Sequence, residues 1–322
     1  MPESTRPTGP PPRALTEPPT RSRADTSISA LTATELTEGW ERLGIQAGMT
    51  LIMHSSLSSL GWVEGGATTV VDSLRTALGP FGTLTVPTYT LRVGEQAPTY
   101  RDPHLVGFSN PVTRERRATG PVFRPNMPSE TGAIPEAVRA LPESVRTSHP
   151  CVSFTAVGAH ADAITSRQTL GFGVGRDSPL GCLHDLHAYI LLVGVGHNRN
   201  VFLHYAEYFT PHPRFRLWRF PMEIAGEYVW VEVIDMGADN NTHFPVVGRD
   251  FEQDAGIREV MIGNARCRLI PVQEFIPFAI TRLAELMTED ERVWREFRET
   301  DNGASIDHPN LNPSQTRQKS LH

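Results

Sequence analysis

Cysteine is scarce in this 322-residue chain: Cys151, Cys182 and Cys267 are odd in number and widely spaced. That excludes a disulfide framework and offers no zinc-ligand spacing, so no metal is expected. Long apolar runs are lacking as well. None could cross a bilayer, and the proline- and arginine-rich start carries no apolar signal segment. A cytoplasmic protein without a membrane partner is the expectation. Charge of one sign is not in excess either: a net charge of -6 and a pI near 6.1 speak against nucleic acid as a partner and only faintly for cationic ligands. What is present, 39% hydrophobic residues, suffices for a sizeable core.

The chain reads unevenly along its length. Residues 1–29 are rich in Pro, Thr, Ser and Arg and are expected to be a disordered extension, because they cannot bury enough apolar surface to offset chain entropy. Residues 30–300 read as a single domain and 301–322 as a flexible polar tail. Thr32 and Glu35 form a capping box ahead of Leu36, Trp40 and Leu43, and Gly44 stops that helix. Arg92 to Pro128 is a long polar loop of the kind that often covers a site. Ala133–Leu141 reads as a short helix, Cys151–Val157 and Tyr189–Val195 as strands, Val201–Phe209 as a helix, Met222–Met236 as strands around Gly226, and Pro271–Met287 as an amphipathic helix. The fold class expected is α/β: a central mixed sheet flanked by helices, with a smaller β-rich part at about 213–265.

The stretch His54 to Thr90 is the most informative. Met49-Thr-Leu-Ile-Met-His54 is an apolar strand that stops at His54, Ser55 and Ser56, where polar groups would face a cleft. Gly65-Gly66 permits a sharp turn and a close approach to a ligand. Val70, Val71, Leu74, Ala77 and Leu78 then recur at helical spacing, placing free amides at a helix start that suits a phosphate or carboxylate. A second strand, Gly82 to Val86, ends in Pro87-Thr88-Tyr89-Thr90. The same pattern also fits an ordinary strand, turn and helix in which the serines only cap.

This stretch resembles the antibiotic N-acetyltransferase family, best known for the aminoglycoside 3-N-acetyltransferases. Four further stretches match in the same order: Pro128-Ser-Glu-Thr-Gly-Ala-Ile-Pro-Glu136, Arg146-Thr-Ser-His-Pro-Cys151, Asp177-Ser-Pro-Leu180, and Ile190-Leu-Leu-Val-Gly-Val-Gly-His197 with Leu203-His-Tyr-Ala-Glu207. The likeness runs from Thr32 to about Glu285. It implies acetyl transfer from acetyl-CoA to an amino group of a small molecule, the 3-amino group of the deoxystreptamine ring in aminoglycosides, as an antibiotic-resistance activity. It also implies His204 as the catalytic histidine of a His-x-x-Glu motif. His54, Ser55, Ser56, Gly65, Gly66, Thr88 and His149 are the expected cofactor-side residues, and a monomer or homodimer is expected.

Acetyl transfer to an alkylammonium calls for a general base near neutrality, donors for the oxyanion, and a carboxylate behind the base. Asp235, closing a downstream strand, is the expected carboxylate, with Glu232 as its rival. Glu207 and Asp102 are the acids expected to hold a polycationic acceptor. Cys151 beside His149 invites an acyl-cysteine reading, although a cysteine opening an apolar strand is usually packed. Gln168-Thr-Leu-Gly-Phe-Gly173 satisfies the Q-x-x-G-x-G coenzyme signature of another acetyltransferase superfamily, but no helix follows it, so the match is read as accidental. Asn200-Val201 stands where aminoglycoside-modifying relatives have Asn-Thr, which leaves open a biosynthetic N-acyltransferase acting on another amine. A coenzyme-binding protein without turnover is the alternative of a different class.

Overall fold

The computed structural model describes residues 30–96, 120–239 and 241–300. The expectations for residues 1–29, for 301–322, for Asp102 and for most of the loop after Arg92 lie outside those residues. The first helix, α1 (Ala33–Leu43), starts with the capping box read from sequence: the Glu35 amide donates to Thr32 Oγ1 and the Thr32 amide to Glu35 Oε2. It ends at Gly44 with φ of 98°.

The chain then runs through β1 (Thr50–Ser55), α2 (Gly66–Leu78), β2 (Thr83–Pro87), the two-residue β3 (Glu95–Gln96), α3 (Ala133–Arg139), β4 (Val145–Arg146), β5 (Phe154–Gly158), α4 (Ala161–Thr165), α5 (Pro179–Asp185), β6 (Tyr189–Val193) and α6 (Phe202–Tyr208). It continues with β7 (Phe215–Ile224), β8 (Glu227–Met236), α7 (Phe244–Ala255), β9 (Arg258–Ile262), β10 (Ala265–Pro271) and α8 (Val272–Thr300). Seven strands form one mixed sheet in the order β4-β5-β2-β1-β6-β10-β9. β2, β1 and β6 are parallel, and antiparallel strands extend both flanks.

Side-chain alternation along the parallel strands divides the interior into two cores. Leu51, Met53, Leu84, Val86, Leu191 and Val193 pack with α1, α2 and α3 on one face of the sheet. Ile52, Ile190 and Leu192 face the other way, with α5 to α8. Trp40 Nε1 donates to Ser73 Oγ at 3.0 Å, satisfying the one polar atom of a fully buried indole between α1 and α2.

The smaller sheet, β3-β7-β8, is narrower than the expected span of 213–265. It is a hairpin over 215–236 with β3 at its edge. Ala225 and Gly226 turn it, both at positive φ as a two-residue I′ loop demands. Residues 244–255 are helical, and β9 and β10 belong to the main sheet. No helix of the described residues is long and apolar enough to cross a membrane.

Candidate active site

A cleft of about 910 Å³ opens where β1, β2 and β6 end. Ligands bind at this place in open α/β sheets, since the loops leaving neighbouring strands diverge there. His54 and Ser55, the last residues of β1, form its middle together with Ser56, Leu57 and Ser58. Pro87, Tyr89, Leu91 and the segment 130–135 form the β2 flank; residues 194–196 and 198–201, His204 and Phe244 form the β6 flank.

His204 stands in the first turn of α6. Asn200 Oδ1 accepts the Phe202 amide at 3.2 Å, which starts the helix, and Phe244 meets the His204 ring edge-on with centroids 4.7 Å apart. The ring is half-buried and reaches the cleft, while Nδ1 is buried without a hydrogen-bond partner. Desolvation, with Arg216 and Arg214 nearby, pushes its pKa down to about 3 against a weaker opposing pull from Asp239. Burial thus favours the neutral imidazole, the form able to accept a proton, over the titration near neutrality expected from the sequence.

The carboxylates expected to serve it are placed differently. Asp235 is buried; its Oδ1 accepts the Met236 amide at 2.7 Å and its Oδ2 the Gly173 amide at 3.4 Å. The hairpin register sets it opposite Arg216, whose charge partly offsets the desolvation that raises the Asp235 pKa to about 6. It makes no hydrogen bond to His204. Glu232, the rival, pairs with Arg219 at 2.8 Å.

Glu207 lies one helical turn after His204 but is fully buried and does not line the cleft, so it is not a rim acid for a cationic ligand. Its carboxylate is taken by Arg214, through Nε at 2.6 Å, Nη2 at 2.9 Å and the backbone amide at 3.0 Å. Arg214 also donates to Asp239, and Asp239 accepts the His243 and Phe244 amides at the start of α7. The motif glutamate thus reaches the active site through Arg214 and Asp239, which fix the helix end that carries Phe244.

The cofactor-side expectations divide. His54, Ser55 and Ser56 line the cleft, and His54 Nε2 and Ser55 Oγ are buried without a hydrogen-bond partner. A buried polar atom left without a partner costs about 1–3 kcal/mol, so these two positions favour a polar partner. Desolvation, with His197 adding to it, lowers the His54 pKa to about 3.

Thr88 is fully buried behind the cleft, its hydroxyl against Thr155 Oγ1 at 2.9 Å, and its carbonyl accepts from Arg146 and Ser153. His149 Nδ1 accepts the Cys151 and Val152 amides at 3.1 and 3.0 Å, and Nε2 donates to the Leu170 carbonyl at 3.0 Å. It ties two loops together and is absent from the cleft wall. Gly65 and Gly66 have φ of 73° and 64° and turn the chain into α2 as read, but neither lines the cleft.

Other motif residues also turn out to be structural. Ser178 caps α5 by accepting the Leu180 amide, with Pro179 in its first turn. Gln168 donates to the carbonyls of Val152 and Gly173 within loop, in agreement with the accidental reading of its motif. Cys151 is fully buried, and burial raises its thiol pKa, as fits a packed cysteine.

Sequence reasoning missed several lining residues. Tyr89, Glu130, Thr131 and Arg199 all face the cleft, and Glu130 and Thr131 lay inside a stretch quoted for its pattern without a role. Phe244 had no sequence signal. Nor did the network beneath residues 194–201: Asn200 Nδ2 approaches His197 Nδ1, His197 Nε2 meets Glu252 at 3.0 Å, and Arg268 joins Glu252 to the Val195 carbonyl. Among the described residues no group of His, Cys, Asp or Glu side chains is arranged to hold a metal ion.

The family model described as Aminoglycoside 3-N-acetyltransferase matches residues 52–284. The SPbeta prophage-derived aminoglycoside N(3')-acetyltransferase-like protein YokD of Bacillus subtilis (strain 168) is 34% identical over 256 residues, covering 77% of this chain and 90% of that protein. Aminoglycoside N(3)-acetyltransferase VII of Streptomyces paromomycinus is 30% identical over 277 residues, covering 80% and 93%. Among solved structures, AAC-VIa bound to sisomicin matches with a TM-score of 0.70 at 25% identity, over 79% of this chain and 98% of that one. AAC-IIIb in a binary complex with CoASH matches with a TM-score of 0.68 at 25% identity, over 80% and 97%.

Proposed function

The chain belongs to the aminoglycoside 3-N-acetyltransferase family, and from that premise we propose that it transfers the acetyl group of acetyl-CoA to the 3-amino group of an aminoglycoside, with His204 as the proton acceptor and antibiotic resistance as the outcome. The observation that carries this reading is the meeting of His204 with His54 and Ser55 in one cleft at the strand ends.

The amine nitrogen attacks the thioester carbonyl carbon, giving a tetrahedral adduct with positive nitrogen and negative oxygen. A histidine with a pKa of about 3 does not strip a resting alkylammonium. It takes the proton once the nitrogen has bonded to carbon, when that N–H is strongly acidic. Collapse of the adduct breaks the carbon–sulfur bond, and the proton held at His204 passes to the departing thiolate. The Ser55 hydroxyl and the His54 ring supply polar atoms for the acetyl-CoA side, where the oxyanion develops.

His204→Ala tests the assignment: kcat falls by about 10² to 10⁴ while acetyl-CoA binding persists. Near-normal turnover with sisomicin or gentamicin as acceptor would remove His204 from the mechanism. A second reading, transfer to a different natural-product amine, is favoured by Val201, which lines the cleft where the family pattern carries threonine. Acetyl-CoA consumption measured across aminoglycosides and simple amines decides between them.

A further inference from the structure

We propose that Glu130 receives an ammonium group of the acceptor, so that the acceptor lies over the β2 flank of the cleft; this rests on the acetyl-transfer reading above. The sheet order sets β2 and β6 on opposite sides of β1, so the two flanks face each other across His54 and Ser55. Glu130 is the carboxylate among the described lining residues and stands on the β2 flank. Arg199 is the guanidinium among them and stands on the β6 flank. A cleft polarised in this way draws a cationic amine toward Glu130 and turns an anionic coenzyme away from it.

Glu130 is also built into a fixed position. Its amide donates to the Tyr89 carbonyl at 2.8 Å, and the Thr131 hydroxyl donates to the Pro87 carbonyl at 2.6 Å. The Ser129 amide donates to Glu136 at 2.8 Å, and Glu136 is itself clamped by Arg139. The chain is therefore tied to the exit of β2 on both sides of the carboxylate. The Glu130 side chain is 25% exposed, reachable from the cleft yet partly shielded from water, which strengthens a charge pair formed there. The contacts it receives from Arg92 are long, 3.4 Å from the backbone amide and 3.4 Å from Nε, and the Arg92 side chain is 86% exposed. A solvent-screened contact of that kind yields readily to an incoming ammonium.

The test compares wild type, Glu130→Gln and Glu130→Asp in steady-state kinetics with sisomicin and gentamicin, alongside calorimetric binding of sisomicin. Glu130→Gln is expected to raise the acceptor KM about 10-fold, the scale of one charge-assisted hydrogen bond, and to weaken sisomicin binding similarly, with KM for acetyl-CoA and the unfolding midpoint unchanged. Glu130→Asp recovers part of the loss. An unchanged acceptor KM and unchanged binding in both variants overturn the assignment, as does an equal rise in KM for acetyl-CoA. Weaker sisomicin binding by Glu130→Gln without turnover in any form supports Glu130 and removes acetyl transfer. Failure of the wild type to bind sisomicin overturns both.

Discussion

Replacing His149 with asparagine separates a loop anchor from a cleft residue, because the ring's two nitrogens have defined and different duties. Nδ1 accepts two amides, and Nε2–H donates to Leu170, so the neutral tautomer is imposed by its partners. Burial dominates the lowering of its pKa from the usual 6.5 to about 4, against a smaller upward pull from the bond to Leu170. As pH falls, the unfolded chain takes up a proton near 6.5 while the folded ring refuses it until about 4. The wild type therefore loses stability across that window and keeps it above.

At pH 5 the deficit is about 1.5 pH units at about 1.4 kcal/mol each, or roughly 2 kcal/mol. Asparagine retains an acceptor for the two amides and loses the Leu170 bond, which costs about 1–3 kcal/mol at pH 7.5. It does not titrate. Urea unfolding of both proteins at pH 7.5 and pH 5 should show the gap between them shrinking by about 2 kcal/mol at the lower pH. A gap that is the same at both pH values would refute the account of His149.

Because His204 stays neutral down to about pH 3, the rising limb of kcat/KM against pH is expected to follow the acceptor's amine, shifting between acceptors of different basicity; a limb fixed near 6.5 for every acceptor contradicts this. Glu207→Gln should destabilise the protein by about 3–5 kcal/mol in denaturant unfolding, since it leaves the buried Arg214 with Asp239 alone. The Glu207→Gln, Arg214→Met double variant should recover much of that loss. A single-variant loss below about 1 kcal/mol would mean the pair is not what braces α6.

The core of the fold was legible in the sequence where a local rule sufficed. The Thr32 cap, the β1 run, the α2 stripe and the α6 helix carrying His204 all depend on residues close to one another in the chain. Long-range pairing was not legible. The expected strands began at Met222, whereas β7 begins seven residues earlier, at Phe215 in Phe215-Arg-Leu-Trp-Arg-Phe220. Arg216 and Arg219 are accommodated because the hairpin register sets them opposite Asp235 and Glu232. Asp235 accepts the Met236 and Gly173 amides rather than meeting His204. Glu207 could not be told from a surface glutamate, since its partner Arg214 lies beyond the end of the helix. Glu130 reaches the cleft because the chain around it docks on the exit of β2, a contact without a periodic signature.

The placement of β1 between β2 and β6 also governs the order of events on the ribosome. β2 follows β1 after a single helix, so that pair and its α1–α2 cover can assemble early. Leu51, however, pairs with Tyr189, and at about 5–20 residues per second the intervening chain takes on the order of ten seconds to emerge. Through that interval the second edge of β1 presents bare amides and carbonyls to the other nascent chains of a polysome. Slow codons between β2 and β6 lengthen that exposure, and a chaperone that shields an open strand edge shortens its consequences. For recombinant expression, faster translation across residues 90–190 is therefore expected to shorten the life of the open β1 edge.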